Sequence, residues 1–108
     1  MTATTRPEFR SVSEATLYVA FELGKKEWKL ARTSGFGVAP WRRTIASGDL
    51  GGAERALTEG RRRFGLAASA AVVSCYEAGR DGFWIHRALT QLGVRNRVVD
   101  SASIEVNW

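Results

Sequence analysis

Two glutamates, Glu22 and Glu77, invite a chemical reading first. Each sits at the end of a strongly apolar segment, TLYVAFEL from Thr16 to Leu23 and AAVVSCYE from Ala70 to Glu77. The ends of strands in α/β sheets are where ligand sites are built. If the two segments are neighbouring strands, the carboxylates lie side by side, and like charges that close need a shared proton or cation. Hard oxygen ligands suit Mg2+ or Mn2+. Such an ion activates a nucleophile and stabilises the leaving oxygen in phosphoryl transfer. A second reading is open at this level: each Glu ends its strand in solvent, or pairs with a basic neighbour such as Lys25, Lys26 or Arg80.

Other residue types that carry chemistry have plainer readings. Cys75 is expected to be a buried, unreactive packing residue of an apolar strand. As the only cysteine it excludes an internal disulfide and makes a cytoplasmic setting the default. One Cys and one His cannot supply the four ligands of a structural zinc site. His86 lies on a helical segment and reads as a surface or cleft-edge residue. Gly35 and Gly37 lack the strand-to-helix setting of a phosphate loop and read as turn residues. Trp28, Trp41 and Trp84 could stack on bases, although large aromatics usually fill cores. Asp100 ends a strand and could be a third acid near the candidate site, but it is not taken as a site residue.

The elements that must position these residues follow from periodicity. In Thr16–Leu23, Leu17, Val19, Phe21 and Leu23 share one face and Tyr18, Ala20 and Glu22 the other. Both faces are largely apolar, so a central strand covered on both sides is expected. Gly24-Lys25 marks a tight turn into a second strand, Glu27–Thr33, with Trp28 and Leu30 facing in, as an antiparallel hairpin. A loop with Gly35, Gly37 and Pro40 leads to a short basic strand, Trp41–Ala46, suited to a sheet edge. Ser47 or Asp49 then caps a helix whose narrow apolar stripe is Leu50, Ala53, Leu57, Gly60 and Phe64. Glu59 precedes Arg63 by one helical turn, the favourable order for an ion pair, and Gly65 closes the helix. The run Ala70–Glu77 reads as a buried parallel strand. Gly79, Asp81 and Gly82 turn the chain into a second helix, Phe83–Leu92, with Ile85, Ala88, Leu89 and Leu92 toward the sheet and Gly93 at its end. Arg95–Asp100 is the fifth strand. The order β-β-β-α-β-α-β predicts an α/β fold, a mixed sheet with right-handed helical crossovers packed on it. The RNase H-like fold has this order.

The chain has 108 residues, enough for one domain. Residues 1–15 read as a flexible leader without the apolar core of a secretory signal, and residues 16–108 as the domain. No apolar run approaches the length of a membrane span. The formal net charge of +5 allows a polyanionic partner. Lys25, Lys26, Arg42, Arg43 and Arg80 are the candidate nucleic-acid contacts. Arg61, Arg62 and Arg63 look like a basic patch, but a solvated helix end beside the negative pole of the helix dipole explains them and is the preferred reading.

The string VVSCYEAGRDGFWIHRAL, from Val72 to Leu89, followed by VVDSASIEVN, from Val98 to Asn107, resembles the N-terminal domain of DEDD-type insertion-sequence transposases of the IS-one-ten group. LYVAFELGKKEWKLA, from Leu17, resembles the opening strand and hairpin of the same domain. The resemblance runs from about Leu17 to Asn107. It implies an RNase H-like, RuvC-like domain that uses acidic residues around Mg2+ or Mn2+ for phosphoryl transfer on DNA, with a structured guide RNA. By the resemblance the first acid is Glu22, where many members carry Asp, and the second is Glu77. The third and fourth belong to a Lys-Thr-Asp type segment beyond IEVN, and a serine nucleophile to a further domain. The chain is therefore expected to be a fragment of a transposase catalytic domain, inactive alone. The alternatives are a nucleic-acid-binding module and a folded remnant of a mobile element. A homo-oligomer is compatible with the sequence, and nothing in it selects one.

Overall fold

A computed structural model describes residues 16–77 and 83–99. The expected leader, the Gly79–Gly82 turn with Arg80, and the stretch from Asp100 onward lie outside the described residues. The elements are β1 (Thr16–Leu23), β2 (Glu27–Thr33), β3 (Trp41–Ala46), α1 (Leu50–Arg63), β4 (Ala71–Glu77), α2 (Trp84–Gln91) and β5 (Arg95–Val99). They form an α/β fold with a five-stranded mixed sheet in the order β3-β2-β1-β4-β5. The order is compatible with an RNase H-like arrangement. The two hairpins are antiparallel, whereas β4 lies parallel to β1 and β5 parallel to β4. Every expected element is present, with ends moved by a residue.

Local chemistry sets the turns. The Gly24 N–H donates to the Glu27 carbonyl at 2.9 Å, and a Cβ on Gly24 would lie 2.7 Å from that oxygen, so the hairpin needs glycine. Asp49 caps α1 by accepting from the Gly52 N–H at 2.9 Å. Gly65 leaves the helix at φ +69°, the left-handed conformation glycine adopts without strain.

The core lies between the sheet and both helices. Leu17, Val19 and Phe21 of β1, Trp28 and Leu30 of β2, and Val72 and Tyr76 of β4 are buried against Ala53, Ala56 and Leu57 of α1 and Ile85 and Leu89 of α2. Trp28 meets Phe21 edge-on, with ring centroids 6.2 Å apart, and meets Trp84 in a tilted arrangement at 6.1 Å. Gly60 brings α1 close to the sheet: a Cβ there would lie 3.1 Å from Leu17 Cδ2 and 3.2 Å from Arg32 Cδ.

Two expectations are corrected. Strand β1 is covered on one face only among the described residues: Tyr18, Ala20 and Glu22 are exposed. The reason is topological. β3, β1, β4 and β5 all run the same way, and both helical connections, β3 to β4 and β4 to β5, travel in one direction across the sheet. Right-handed crossovers in one direction place their helices on one side. Cys75, expected to be buried, is half-buried on the uncovered face, because strand alternation gives the core positions of β4 to Val72, Ser74 and Tyr76.

Candidate functional site

Glu22 and Glu77 stand on the uncovered face at the C-terminal ends of adjacent parallel strands, and both are exposed. The β1–β4 register runs from Thr16↔Ala71 to Phe21↔Tyr76, one residue short of the two glutamates. Continuing it by one step sets their Cα atoms in the same cross-strand row, where neighbouring strands lie about 4.8 Å apart. Alternation puts both side chains on the face of Ala20 and Cys75, themselves a registered pair. Neither carboxylate has an ion-pair partner among the described residues. Lys29 of β2 is opposite Glu22 in the register and shares its face. The described residues contain no cluster of three or more His, Cys, Asp or Glu side chains able to hold a metal.

The other candidates separate by position. Lys25 and Lys26 are exposed in the β1–β2 turn and, with Glu22 and Lys29, line a shallow depression at this end of the sheet. Arg42 is exposed on the uncovered face, in register with Ala31. Arg43 points the other way, toward α1, where its Nη1 donates to Glu59 Oε1 at 2.5 Å. Arg80 lies outside the described residues. His86 is half-buried: its Nδ1 is 3.0 Å from Asn96 Nδ2, and Asn96 Oδ1 accepts from the Ser74 hydroxyl at 2.6 Å. This polar chain pins α2 to β4 and β5 on the helix side of the sheet.

The expected Glu59–Arg63 pair does not form, because Glu59 is held by residues of the sheet. It bonds Arg43 and also accepts from Arg32 Nη1 at 3.4 Å. Arg32 is fully buried; its Nε donates to the Trp41 carbonyl and its Nη1 to the Ala56 carbonyl. Its Nη2 has no hydrogen-bond partner among the described residues. Burial pulls the Arg32 pKa down from its ordinary value, against the opposing charge of Glu59. The Arg43 hydrogen bond holds the Glu59 carboxyl below its ordinary value, with the charges of Arg43 and Arg32 adding to it. Arg63 instead stacks on the Trp41 ring at 4.6 Å from its centroid, and Arg32 stacks on the same ring at 4.0 Å. Arg61 donates to the Ala70 carbonyl through Nε and Nη2. Much of the apparent basic patch of α1 therefore serves the fold.

Residues missed in the sequence reading are Tyr18, Arg95 and Arg97. All three lie on the uncovered face, in register with Val73 or Cys75 of β4. The signal was present in their strand parity, hidden by the expectation that β1 was covered on both sides.

No helix among the described residues is long and apolar enough to cross a membrane. No protein-family model matches the chain. Over 96% of its length the chain is 32% identical to a protein of Sinorhizobium fredii (strain NBRC 101917 / NGR234) named "Putative transposase y4rJ", of which it spans 28%. That similarity, along nearly the whole chain, supports a transposase-related family.

Proposed function

We propose that this chain is part of the catalytic domain of a DNA transposase of the DEDD type, and that Glu22 and Glu77 are two of the acids that bind its divalent metal. The observation that carries this reading is the parallel β1–β4 pairing, which brings two carboxylates from distant parts of the sequence to one end of one sheet face. The donor set fits Mg2+ or Mn2+: two solvent-accessible carboxylates with no ion-pair partner among the described residues. When bound, such an ion supplies Lewis-acid stabilisation of a phosphoryl oxygen. The chain's own contribution is to hold the two charges side by side on strands fixed by a packed core, which favours a cation between them. Lys29, across from Glu22, offers a positive charge to a phosphate approaching the same end of the face. DNA as the substrate, and a structured RNA as guide, follow from the transposase similarity and the family resemblance. The alternative of a nucleic-acid-binding module shares the fold and lacks the metal chemistry.

Titration of the 15N-labelled chain with Mn2+ tests this reading. Paramagnetic broadening should concentrate on the C-terminal residues of β1 and β4 and disappear in Glu77→Gln, with the rest of the spectrum unchanged. Broadening spread evenly over the surface, or unaltered by the substitution, would overturn it.

A further inference from the structure

The uncovered sheet face has an order that the carboxylate pair does not explain. One cross-strand row reads Arg42, Ala31, Ala20, Cys75, Arg97, from β3 at one edge to β5 at the other. Its ends are exposed arginines and its centre is three small side chains. Five strands place the two arginines roughly 19 Å apart at their Cα atoms. The next row, away from the glutamates, carries Tyr18 at its middle, 40% exposed, with Arg95 at the β5 edge. Beyond it the β2–β3 loop bears Phe36, a fully exposed residue.

We infer that this face binds single-stranded nucleic acid, the backbone held by Arg42 and Arg97 and a base stacked on Tyr18. Three features converge on that occupant. Arginines at both edges complement phosphates on either side of a flat floor, and Ala20, Ala31 and Cys75 keep the floor low enough for bases to approach the sheet. An exposed aromatic on a central strand is the stacking platform that single-strand binders use, indifferent to sequence because every base has a π-face. The acids lie at one end of the same face, two residues from the arginine row along β1, on the order of 7 Å. A phosphate held in that row therefore lies between the Tyr18 platform and the two acids. Phe36, at the opposite end, is placed to stack on a base that leaves the platform. The inference names the form of substrate for the proposed transposase reading and rests on it for its biological sense. The binding itself requires no metal.

Fluorescence anisotropy with labelled single strands, oligo-dT and oligo-U, in EDTA separates the two readings. The chain should bind single strands more tightly than a duplex of the same length, with affinity falling as salt rises. Arg42→Ala with Arg97→Ala should reduce the slope of log affinity against log salt by about 1.4, two single-strand phosphate contacts. Tyr18→Ala should weaken binding roughly tenfold and leave that slope alone. Arg62→Ala, an exposed cation of α1, should match wild type. All four side chains are exposed, and the thermal transition of each variant shows whether the fold is kept. The dT and U arms distinguish DNA from RNA: equal affinity marks backbone and stacking recognition, and a preference for U marks contacts to the 2′-hydroxyl. Preference for the duplex, wild-type affinity in both the arginine and the tyrosine variants, or a Tyr18-dependent dimer that does not bind oligonucleotide would each overturn the inference. Absence of localised Mn2+ broadening in the wild-type chain, with oligonucleotide binding intact, would overturn the metal site alone.

Discussion

Arg32 shows how a single position of the pleat decides a residue's role. It follows Trp28 and Leu30 in the alternation of β2 and therefore points into the core. A guanidinium there must find acceptors, and it finds the Trp41 and Ala56 carbonyls and Glu59. Arg32→Ala should destabilise the chain by about 3 kcal/mol, the cost of removing one member of a buried charged network, seen in denaturant titration as a lower midpoint at unchanged slope. Glu59 gives the network a pH dependence. Its folded pKa is lowered chiefly by the Arg43 hydrogen bond, so its contribution is fully present above the unfolded carboxyl pKa and is lost as pH falls through the lower folded value. Melting curves between pH 6 and pH 3, roughly the range about a free Glu pKa, should show a loss of stability that Glu59→Gln reduces. The parity of Arg32 was legible in the sequence. Its partners were not, since Glu59 has a nearer candidate in Arg63 one turn along the helix, and only the docking of α1 beside β3 takes it away. Glu22 and Glu77 were legible as strand-end acids because each closes an apolar run, while their place on one shared face required the β1–β4 register.

At the level of elements, close approach and handedness explain what the pattern of apolar residues conveyed and what it concealed. The stripe on α1 located the helix, yet Gly60 looked like one more member of that stripe. It is the point where α1 comes within contact of Leu17 and Arg32. Gly60→Leu should therefore cost about 1–3 kcal/mol by overpacking, despite leucine's better helix propensity, and equilibrium unfolding will read it. Strand β1 misled in the opposite way. Tyr18 and Ala20 made its second face look apolar, and apolar residues on both faces ordinarily mean two covering layers. A tyrosine and an alanine are equally at home on a face kept flat for a ligand, and periodicity cannot separate those cases. Handedness could have done so, once the strand order fixed both crossovers in one direction.

For the whole molecule, the question is how much chemistry two acids allow. A two-metal phosphoryl transfer holds its ions roughly 3.5–4 Å apart with more ligands than Glu22 and Glu77 supply. Incubated with supercoiled DNA and Mn2+, the 108-residue chain should leave it intact, as should Glu77→Gln. Nicking by the wild type that the variant lacks would show that further acids complete the site. The uncovered face also bears Cys75. Its half-buried thiol should be alkylated under native conditions, more slowly than a free thiol, and bound oligonucleotide should protect it.

The central pairing of β1 with β4 has a kinetic consequence as well. The hairpins β1–β2 and β2–β3 join neighbours in sequence, whereas Thr16 must wait for Ala71, across half the chain, before the sheet closes at its middle. Non-local parallel contacts are rewarded only after the entropy of closing the intervening loop has been met, so they form slowly. In the interval the three-stranded meander presents β1 as a bare edge, with the backbone donors and acceptors of Leu17, Val19 and Phe21 open to any extended segment. During synthesis that edge emerges long before its native partner, so the same arrangement that later aligns Glu22 with Glu77 makes the nascent chain dependent on prompt docking of β4 to avoid pairing with its neighbours.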